Sequence, residues 1–213
     1  MQSAKIAWID NDITEYESHF ESISQVIKRK SVIYSEGATA GALYQVITGI
    51  VKIVRTSKEG HEQITDFILP GENFGYEALH YRQYHLSAVA TTAVNVKRFV
   101  SLRSLAKEHE VSVHRALLND YMKSQRHLAM MNHTKAHVRV SAFIVDIVSR
   151  LDETQFDNEG FSFPRQDIAS FLGLTIETVC RVLQKLKKDK IISISKAKIR
   201  VIDLQSLRKS ALF

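Results

Sequence analysis

The spacing of hydrophobic and polar residues changes along the chain and predicts β-structure first and helices later. Apolar residues spaced by three and four from Asp12 to Arg29 predict an amphipathic helix at the start. Residues 31–99 then contain short runs typical of strands, separated by regular turn signals, which predict an antiparallel roll, barrel or sandwich. The β-branched and aromatic runs, separated by glycines, are SVIYSEG, ALYQVITG, IVKIVRTSKEG, QITDFILPGENFG and LSAVATTAVNVKRFV.

A long helix is predicted next, because residues 104–135 contain neither glycine nor proline and carry apolar residues at helical spacing. A roughly heptad-like seam on this helix predicts pairing with a second copy of the chain. The seam consists of Leu117, Tyr121, Leu128 and Met131. A helix that packs only on its own β-domain is the alternative. Arg139–Leu151 carries its apolar residues on one side and predicts a further helix.

The stretch Arg165–Lys188, RQDIASFLGLTIETVCRVLQKLKK, predicts two helices joined by a tight turn. Gly173 supplies the conformation that ends the first helix, and Thr175 is suited to cap the second. The inward face of the second helix is predicted to be Ile176, Val179, Val182, Leu183 and Leu186. Its outward face is predicted to be Glu177, Thr178, Cys180, Arg181, Gln184 and Lys185. After Lys190, IISIS and KIRVIDL predict a hairpin.

Charge is unevenly distributed, which bears on the partner of this stretch. The formal net charge is +6, yet residues 1–164 hold 18 Lys and Arg against 19 Asp and Glu. Residues 165–213 hold 11 against 4, so the whole excess lies in the last quarter. A local excess of this kind favours an anionic partner such as nucleic acid, with a solvated basic face as the alternative.

Several functional classes are excluded by composition. Cys180 is the only cysteine, so neither an intrachain disulfide nor an iron–sulfur cluster held by cysteines of one chain can form. No apolar run approaches membrane-spanning length and no signal-peptide pattern begins the chain, which predicts a cytoplasmic protein without a membrane partner. No paired nucleophile and base, metal-ligand spacing or phosphate-cradling loop occurs. We therefore expect no catalytic residues, no metal site and no enzyme activity.

The second helix carries residues suited to reading double-stranded DNA. Glu177, Cys180 and Arg181 share one face of its N-terminal half, as insertion into a major groove requires. Arginine can donate two hydrogen bonds to guanine, and glutamate can accept one from cytosine. Phosphate contacts, which add affinity without sequence information, are predicted for Arg165, Thr175, Thr178, Lys185, Lys187 and Lys188. A helical hairpin with a merely charged surface is the alternative.

The run RQDIASFLGLTIETVCRVLQKLKKDKII resembles the winged helix-turn-helix of the cyclic-AMP receptor and fumarate–nitrate reductase regulator superfamily. EGHEQITDFILPGENFG and RVSAFIVDIVSRL also resemble the fumarate–nitrate branch. The resemblance implies an α+β fold in three parts: a cyclic-nucleotide-binding-like β-roll or jelly roll at 1–103, a dimerisation helix at 104–136 and a winged helix-turn-helix at 137–213. It also implies a transcription regulator that binds a palindromic operator as a homodimer.

The recognition helix of that branch carries Glu-x-x-Ser-Arg, which Glu177, Cys180 and Arg181 match except at the serine. The resemblance implies half-sites like TTGAT, with the first bases left open by Cys180. A thiol is a weaker hydrogen-bond donor than a hydroxyl, although it can pack against a thymine methyl. Two interpretations of Cys180 stay open: a redox switch on the DNA-facing surface, and a passive replacement for serine.

The family's roll often holds an effector, and the sequence argues against each known type. Cyclic-nucleotide binders have a Gly-Glu pair and, about ten residues on, an arginine that neutralises the phosphate. Leu86 stands at that arginine's position, so no cyclic nucleotide is expected, with Arg82 as the one nearby substitute. The candidate effector-pocket residues are Glu77, Arg82 and Ser87.

Cluster and haem cofactors are not expected either. The oxygen sensors of the branch bind an iron–sulfur cluster through N-terminal cysteines, which this chain lacks. His80 and His85 lie in the general area used by relatives that sense gas through haem, but a lone histidine in a loop is ordinarily solvated or hydrogen-bonded. We expect a regulator without a cofactor, controlled by its abundance or by an unidentified ligand.

The mode of action is predicted from one further resemblance. The loop around Thr65-Asp66-Phe67 resembles a surface with which the relatives contact RNA polymerase, which favours an activator. The alternative function is a ligand- or stress-sensing protein whose basic end binds nucleic acid without sequence preference.

Overall fold

The computed structural model describes residues 22–57, 59–60, 62–100, 110–151, 160–195 and 198–212. Its strands are β1 Ser22–Ile27, β2 Val32–Tyr34, β3 Leu43–Thr48, β4 Val51–Thr56, β5 Glu62–Ile68, β6 Asn73–Phe74, β7 Ser87–Ala90, β8 Val94–Phe99, β9 Ile192–Ser195 and β10 Lys198–Val201. Its helices are α1 Glu77–His80, α2 Glu110–Asn132, α3 Ala136–Arg150, α4 Arg165–Leu172, α5 Ile176–Lys188 and α6 Leu204–Ala211. This succession confirms the predicted order of roll, long helix and helix-turn-helix with hairpin.

The roll consists of two antiparallel sheets, ordered β1-β8-β3-β6 and β2-β7-β4-β5. Alternation along the strands directs one face of each sheet inward. On β8, Val94 and Val96 are almost completely buried, whereas Asn95 and Lys97 between and beside them are only half-buried. Val46 of β3 and Val51 of β4 belong to the same core cluster, so the two sheets pack face to face.

The helix predicted for Asp12–Arg29 is wrong where the structure describes it, because residues 22–27 form strand β1. This strand pairs with β8 from Ser22↔Phe99 to Ile27↔Val94. Its three β-branched residues are spaced like a helical face, but Ile23 and Val26 are 58% and 78% exposed. β-branched side chains favour extended backbone, and β8 supplies the hydrogen-bond partners. Residues 12–21 lie outside the described ranges.

The predicted long helix is confirmed over α2, which ends at Asn132; residues 104–109 of that prediction lie outside the described ranges. The helix predicted at Arg139–Leu151 is also confirmed, as α3. Its inward stripe of Val140, Phe143 and Ile147 is at most 1% exposed.

The C-terminal hairpin is confirmed, with Lys198 paired to Ser195 and Val201 to Ile192. KIRVIDL is extended only as far as Val201, so the prediction was wrong for its last residues. Leu204 begins helix α6, where the Asp203 side chain caps the first turn by accepting from the Ser206 N–H at 2.9 Å.

The roll and the helical C-terminal part share one hydrophobic core. Phe67 of β5 is completely buried, and its ring centroid lies 4.8 Å from that of Phe163 and 5.1 Å from that of Phe171. Phe143 lies 5.9 Å away on α3. A cluster of four phenylalanines therefore joins the roll to α3 and α4, the helices against which α5 packs.

Candidate DNA interface

The turn between α4 and α5 is the one that the sequence predicts. Gly173 has a φ of +59° and ψ of +42°, the left-handed conformation that glycine adopts without a Cβ clash. The Leu174 N–H donates to the Ala169 carbonyl at 2.9 Å and closes the end of α4. A Cβ at Gly173 would lie 3.0 Å from the Met131 Cε, so space as well as backbone conformation favours glycine.

Thr175 caps α5 as predicted, because its Oγ1 accepts from the Thr178 N–H at 3.2 Å. The Thr175 hydroxyl also donates to the Thr178 Oγ1 at 3.1 Å. Thr175 is exposed and Thr178 is half-buried. The two threonines predicted to contact phosphate therefore lie together at the start of the recognition helix.

Helix α5 has one buried and one exposed face. Its buried side chains are Val179, Val182, Leu183 and Leu186. Its exposed side chains include Glu177, Cys180, Arg181, Gln184, Lys185, Lys187 and Lys188. The residues predicted to read bases thus share an exposed surface in the first two turns, and the lysines predicted to contact phosphates follow toward the C-terminus.

Ile176 departs from its predicted inward position, because 42% of its surface is exposed. It occupies the first turn, where the buried stripe of α5 ends, and it lies one turn before Cys180. An exposed isoleucine at this point can contact a thymine methyl group. The helical periodicity alone assigned it to the core, and only its position at the helix start could have indicated otherwise.

The charges at this surface are set by local contacts. Contacts with its own backbone N–H and with the Thr175 side chain hold the pKa of Glu177 below its ordinary value, which keeps the carboxylate available as an acceptor. Burial lowers the pKa of Arg165, and the nearby Cys180 acts in the opposite direction. The Arg165 Nη1 is shielded and has no hydrogen-bond partner among the described residues. A phosphate oxygen would satisfy it.

Helix α2 presents an apolar stripe to solvent in the single chain. Leu117 is 37%, Tyr121 58% and Leu128 59% exposed, and Leu118 and Met122 beside them are 63% and 52% exposed. Large apolar side chains exposed in one contiguous row mark an interaction surface.

The C-terminal end of α2 instead contacts the helix-turn-helix of its own chain. The His127 ring stacks on Phe171 with centroids 3.9 Å apart, and its Nε2 lies 2.9 Å from the Phe171 carbonyl oxygen. Met131, the last residue of the predicted seam, is half-buried next to Gly173. The α2 helix thereby joins the exposed stripe to the DNA-facing part.

Two of the three candidate effector residues have hydrogen-bond partners outside the predicted set. The Glu77 Oε1 accepts from the His85 N–H at 3.4 Å, and the Ser87 Oγ accepts from the Glu36 N–H at 2.9 Å. Arg82 is exposed. Within the described residues, no hydrogen bond connects Glu77, Arg82 and Ser87 to one another.

Aromatic rings that the sequence reasoning did not single out occupy the interior of the roll near these residues. Tyr34 stacks on Tyr84 with centroids 3.8 Å apart, and Tyr44 stacks on Phe74 at 5.2 Å. The Tyr84 hydroxyl donates to the Ala42 carbonyl at 2.7 Å, and burial raises the pKa of Tyr84 to about 12. These four rings form much of the core of the roll.

The segment predicted to be a polymerase-contacting loop is part of a strand, so the loop was predicted wrongly. Thr65 and Asp66 are half-buried, and contact with RNA polymerase stays a prediction. Thr65, Asp66 and Phe67 belong to β5, and Phe67 is completely buried against the helical part. Asp66 Oδ2 lies 3.1 Å from the Lys123 Nζ of α2. The segment joins the roll to the other two parts because its side chains point into the junction.

Known proteins combine the same parts. A model described as a Crp-like helix-turn-helix domain matches residues 138–210, and one described as a cyclic nucleotide-binding domain matches residues 24–105. The nitrogen fixation regulation protein FixK of Rhizobium meliloti is 35% identical over 174 residues, covering 81% of this chain and 78% of the relative. The transcriptional activatory protein AadR of Rhodopseudomonas palustris is 32% identical, covering 86% and 80%.

Solved structures agree with this fold. The structure of FixK2 from Bradyrhizobium japonicum superposes with a TM-score of 0.77 at 28% identity and covers 88% of this chain and 96% of that one. Within the described ranges, none of the helices is both long and apolar enough to cross a lipid bilayer.

Proposed function

The chain belongs to the CRP/FNR family of DNA-binding transcription regulators, and we propose that it acts as a homodimer on a two-fold operator with half-sites like TTGAT. Its relatives are regulators rather than enzymes, and this chain is likewise not an enzyme. The observation that carries the proposal is the exposed face of α5, where Glu177, Cys180 and Arg181 are exposed while the opposite face is buried. Ile176 extends this base-reading surface by one apolar side chain.

We infer that the exposed stripe of α2 forms the dimer interface through Leu117, Tyr121 and Leu128, with Met131 at its end. Two copies of a recognition helix match a palindrome only if the chains are related by a two-fold axis. A helix that pairs with its own copy provides that axis.

Activation of transcription through contact with RNA polymerase is the proposed mode of action, supported by the name of the activatory relative AadR. Residues 65–67 lie at the domain junction, where Phe67 is completely buried, so they do not support this mode of action. We further propose that DNA binding needs no cyclic nucleotide, haem or iron–sulfur cofactor. Leu86 in place of the phosphate-binding arginine and the ring-filled interior of the roll support this.

Arg181→Ala is expected to abolish discrimination at one base pair of the half-site, costing about 1–3 kcal/mol of specific binding, because the bidentate contact to guanine is lost. Lys187→Ala is the matched control. Lys187 is exposed on the same helix. Its loss should weaken binding to all DNA sequences alike and reduce the salt dependence of binding. Competition binding against operators altered at single positions measures both effects.

The same experiment can contradict the proposal. If Arg181→Ala and Lys187→Ala weaken binding to every duplex equally, the helix binds DNA without reading bases. The chain would then be a sensing protein with non-specific affinity for nucleic acid.

Leu128→Glu is expected to convert the dimer into a monomer at micromolar concentration, because a charge placed in an apolar interface stays unpaired when two chains associate. Asn119→Glu is the control. Asn119 is exposed on α2 and lies nine residues from Leu128, on the opposite side of the helix at about 100° per residue. Sedimentation equilibrium measures the mass; two variants that both remain dimeric would place the interface elsewhere.

A further inference from the structure

Helix α4, which precedes the recognition helix, lies along an edge strand of the roll. Strand β5 ends its sheet, so one side of its backbone has no strand partner among the described residues. Ser170 of α4 covers that side: its Oγ accepts from the Ile64 N–H at 3.2 Å and donates to the Glu62 carbonyl at 3.3 Å. One hydroxyl therefore satisfies two main-chain groups of the edge strand.

An ion pair attaches the same face of α4 to the same sheet. The Lys52 Nζ on β4 lies 3.1 Å from the Asp167 Oδ1, and both side chains are at most 15% exposed, so solvent screens the pair weakly. Asp167 and Ser170 are three residues apart and therefore share one helix face. Two contacts spaced by almost a full turn restrain α4 against rotation about its own axis.

We propose that Ser170 is a positioning residue which, together with the Lys52–Asp167 ion pair, sets the angle at which the roll presents α5 to DNA. Gly173 joins α4 to α5 through a tight turn, so a rotation of α4 is passed on to the recognition helix. In a homodimer this angle determines which half-site spacing fits. The inference rests on the proposed function, because spacing has meaning only for a dimer on a two-fold operator.

Ser170→Ala is expected to reduce the preference for one half-site spacing over spacings changed by one base pair, by roughly 2- to 10-fold, as the loss of the hydrogen bonds to β5 implies. Binding to a duplex with a single half-site should stay within about twofold of the unmodified protein, because α5 itself is unchanged. Titration of the full-length protein with these duplexes measures both quantities. Hydrogen exchange at the Ile64 amide should accelerate, since its acceptor is removed.

Two further variants sharpen the test. Ser149→Ala removes the same group from an exposed serine whose hydroxyl, among the described residues, bonds to the Asp146 carbonyl of its own helix, and it should keep the spacing preference. Lys52→Gln changes the roll alone and should flatten the preference as Ser170→Ala does. It also decides the question if Ser170→Ala fails to fold.

The outcomes distinguish a failure of the proposed function from a failure of the positioning role of Ser170. If the unmodified protein binds palindromes, half-sites and random DNA equally, the proposed function fails and the positioning role fails with it. If that protein prefers one spacing and Lys52→Gln keeps the preference, the positioning role alone is overturned. An equal loss on single half-sites and full operators would also overturn it, because the change would then lie in the helix-turn-helix itself.

Discussion

Arg150→Met is expected to lower the free energy of unfolding by about 3–5 kcal/mol, because it removes the buried guanidinium that Glu72, Asp66 and Asp146 share at the junction. The Arg150 guanidinium lies 2.7 Å from a Glu72 carboxylate oxygen and 2.9 Å from one of Asp146. It also donates to the Phe67 carbonyl and lies 3.8 Å from Asp66. This one side chain links α3 to the roll, and only 9% of it is exposed. Denaturant unfolding followed by circular dichroism measures the loss.

Arg126→Met is the control for this prediction. Arg126 pairs with the same Asp146 at 3.0 Å, but 46% of its side chain is exposed to solvent. Exposed pairs contribute at most about 1 kcal/mol. Equal losses for Arg126→Met and Arg150→Met would show that the buried network does not stabilise the junction.

The difference in unfolding free energy between Arg150→Met and the unmodified protein is expected to depend on pH through Glu72. Burial alone would raise the pKa of Glu72, but Arg150 and Lys123 outweigh it and hold the pKa below the ordinary value. A carboxylate with a lowered folded-state pKa stabilises the protein above its unfolded pKa, and this contribution is lost as the pH falls. The gap between Arg150→Met and the unmodified protein should therefore shrink below about pH 4.

The junction also shows what the sequence could not predict. Thr65-Asp66-Phe67 was predicted to be surface, because a three-residue pattern gives no information about contacts with residues many tens of positions away. Its partners are Lys123 of α2 and Phe163 and Phe171 of the helical part. Burial of this kind depends on tertiary packing, which no local periodicity records.

Sequence periodicity predicted burial correctly where the pattern of a single helix fixes which of its faces is buried. The periodicity of α5 identified Val179, Val182 and Leu183 as buried and Arg181 as exposed, and Gly173 marked the turn. The same rule misplaced Ile176, since a helical repeat does not say where the supporting core ends. It also assigned β1 to a helix, because Ile23, Val26 and Ile27 are spaced like a helical face and only pairing with β8 makes the segment extended.

Phe67→Ala is expected to cost about 3–5 kcal/mol and to uncouple the roll from the DNA-binding part. Phe67 is the roll's contribution to the phenylalanine cluster, whereas Phe163 and Phe171 belong to the other side. Because the core is shared, both parts are expected to unfold together in the unmodified protein. Amide exchange checks this: α5 and β8 should open with the same free energy before the substitution and with different ones after it.

Phe74→Ala is the matched control, because Phe74 is 2% exposed inside the roll and stacks on Tyr34 and Tyr44. It removes the same atoms without touching the junction, so stability should fall while α5 and β8 continue to open together. Coincident opening in Phe67→Ala as well would mean that the ionic contacts of Arg150 and Lys123 couple the parts without the aromatic cluster. Uncoupling in Phe67→Ala alone would show that apolar packing makes the two parts unfold cooperatively. A regulator whose recognition helix depends on such packing would transmit strain in the roll to the DNA-binding surface.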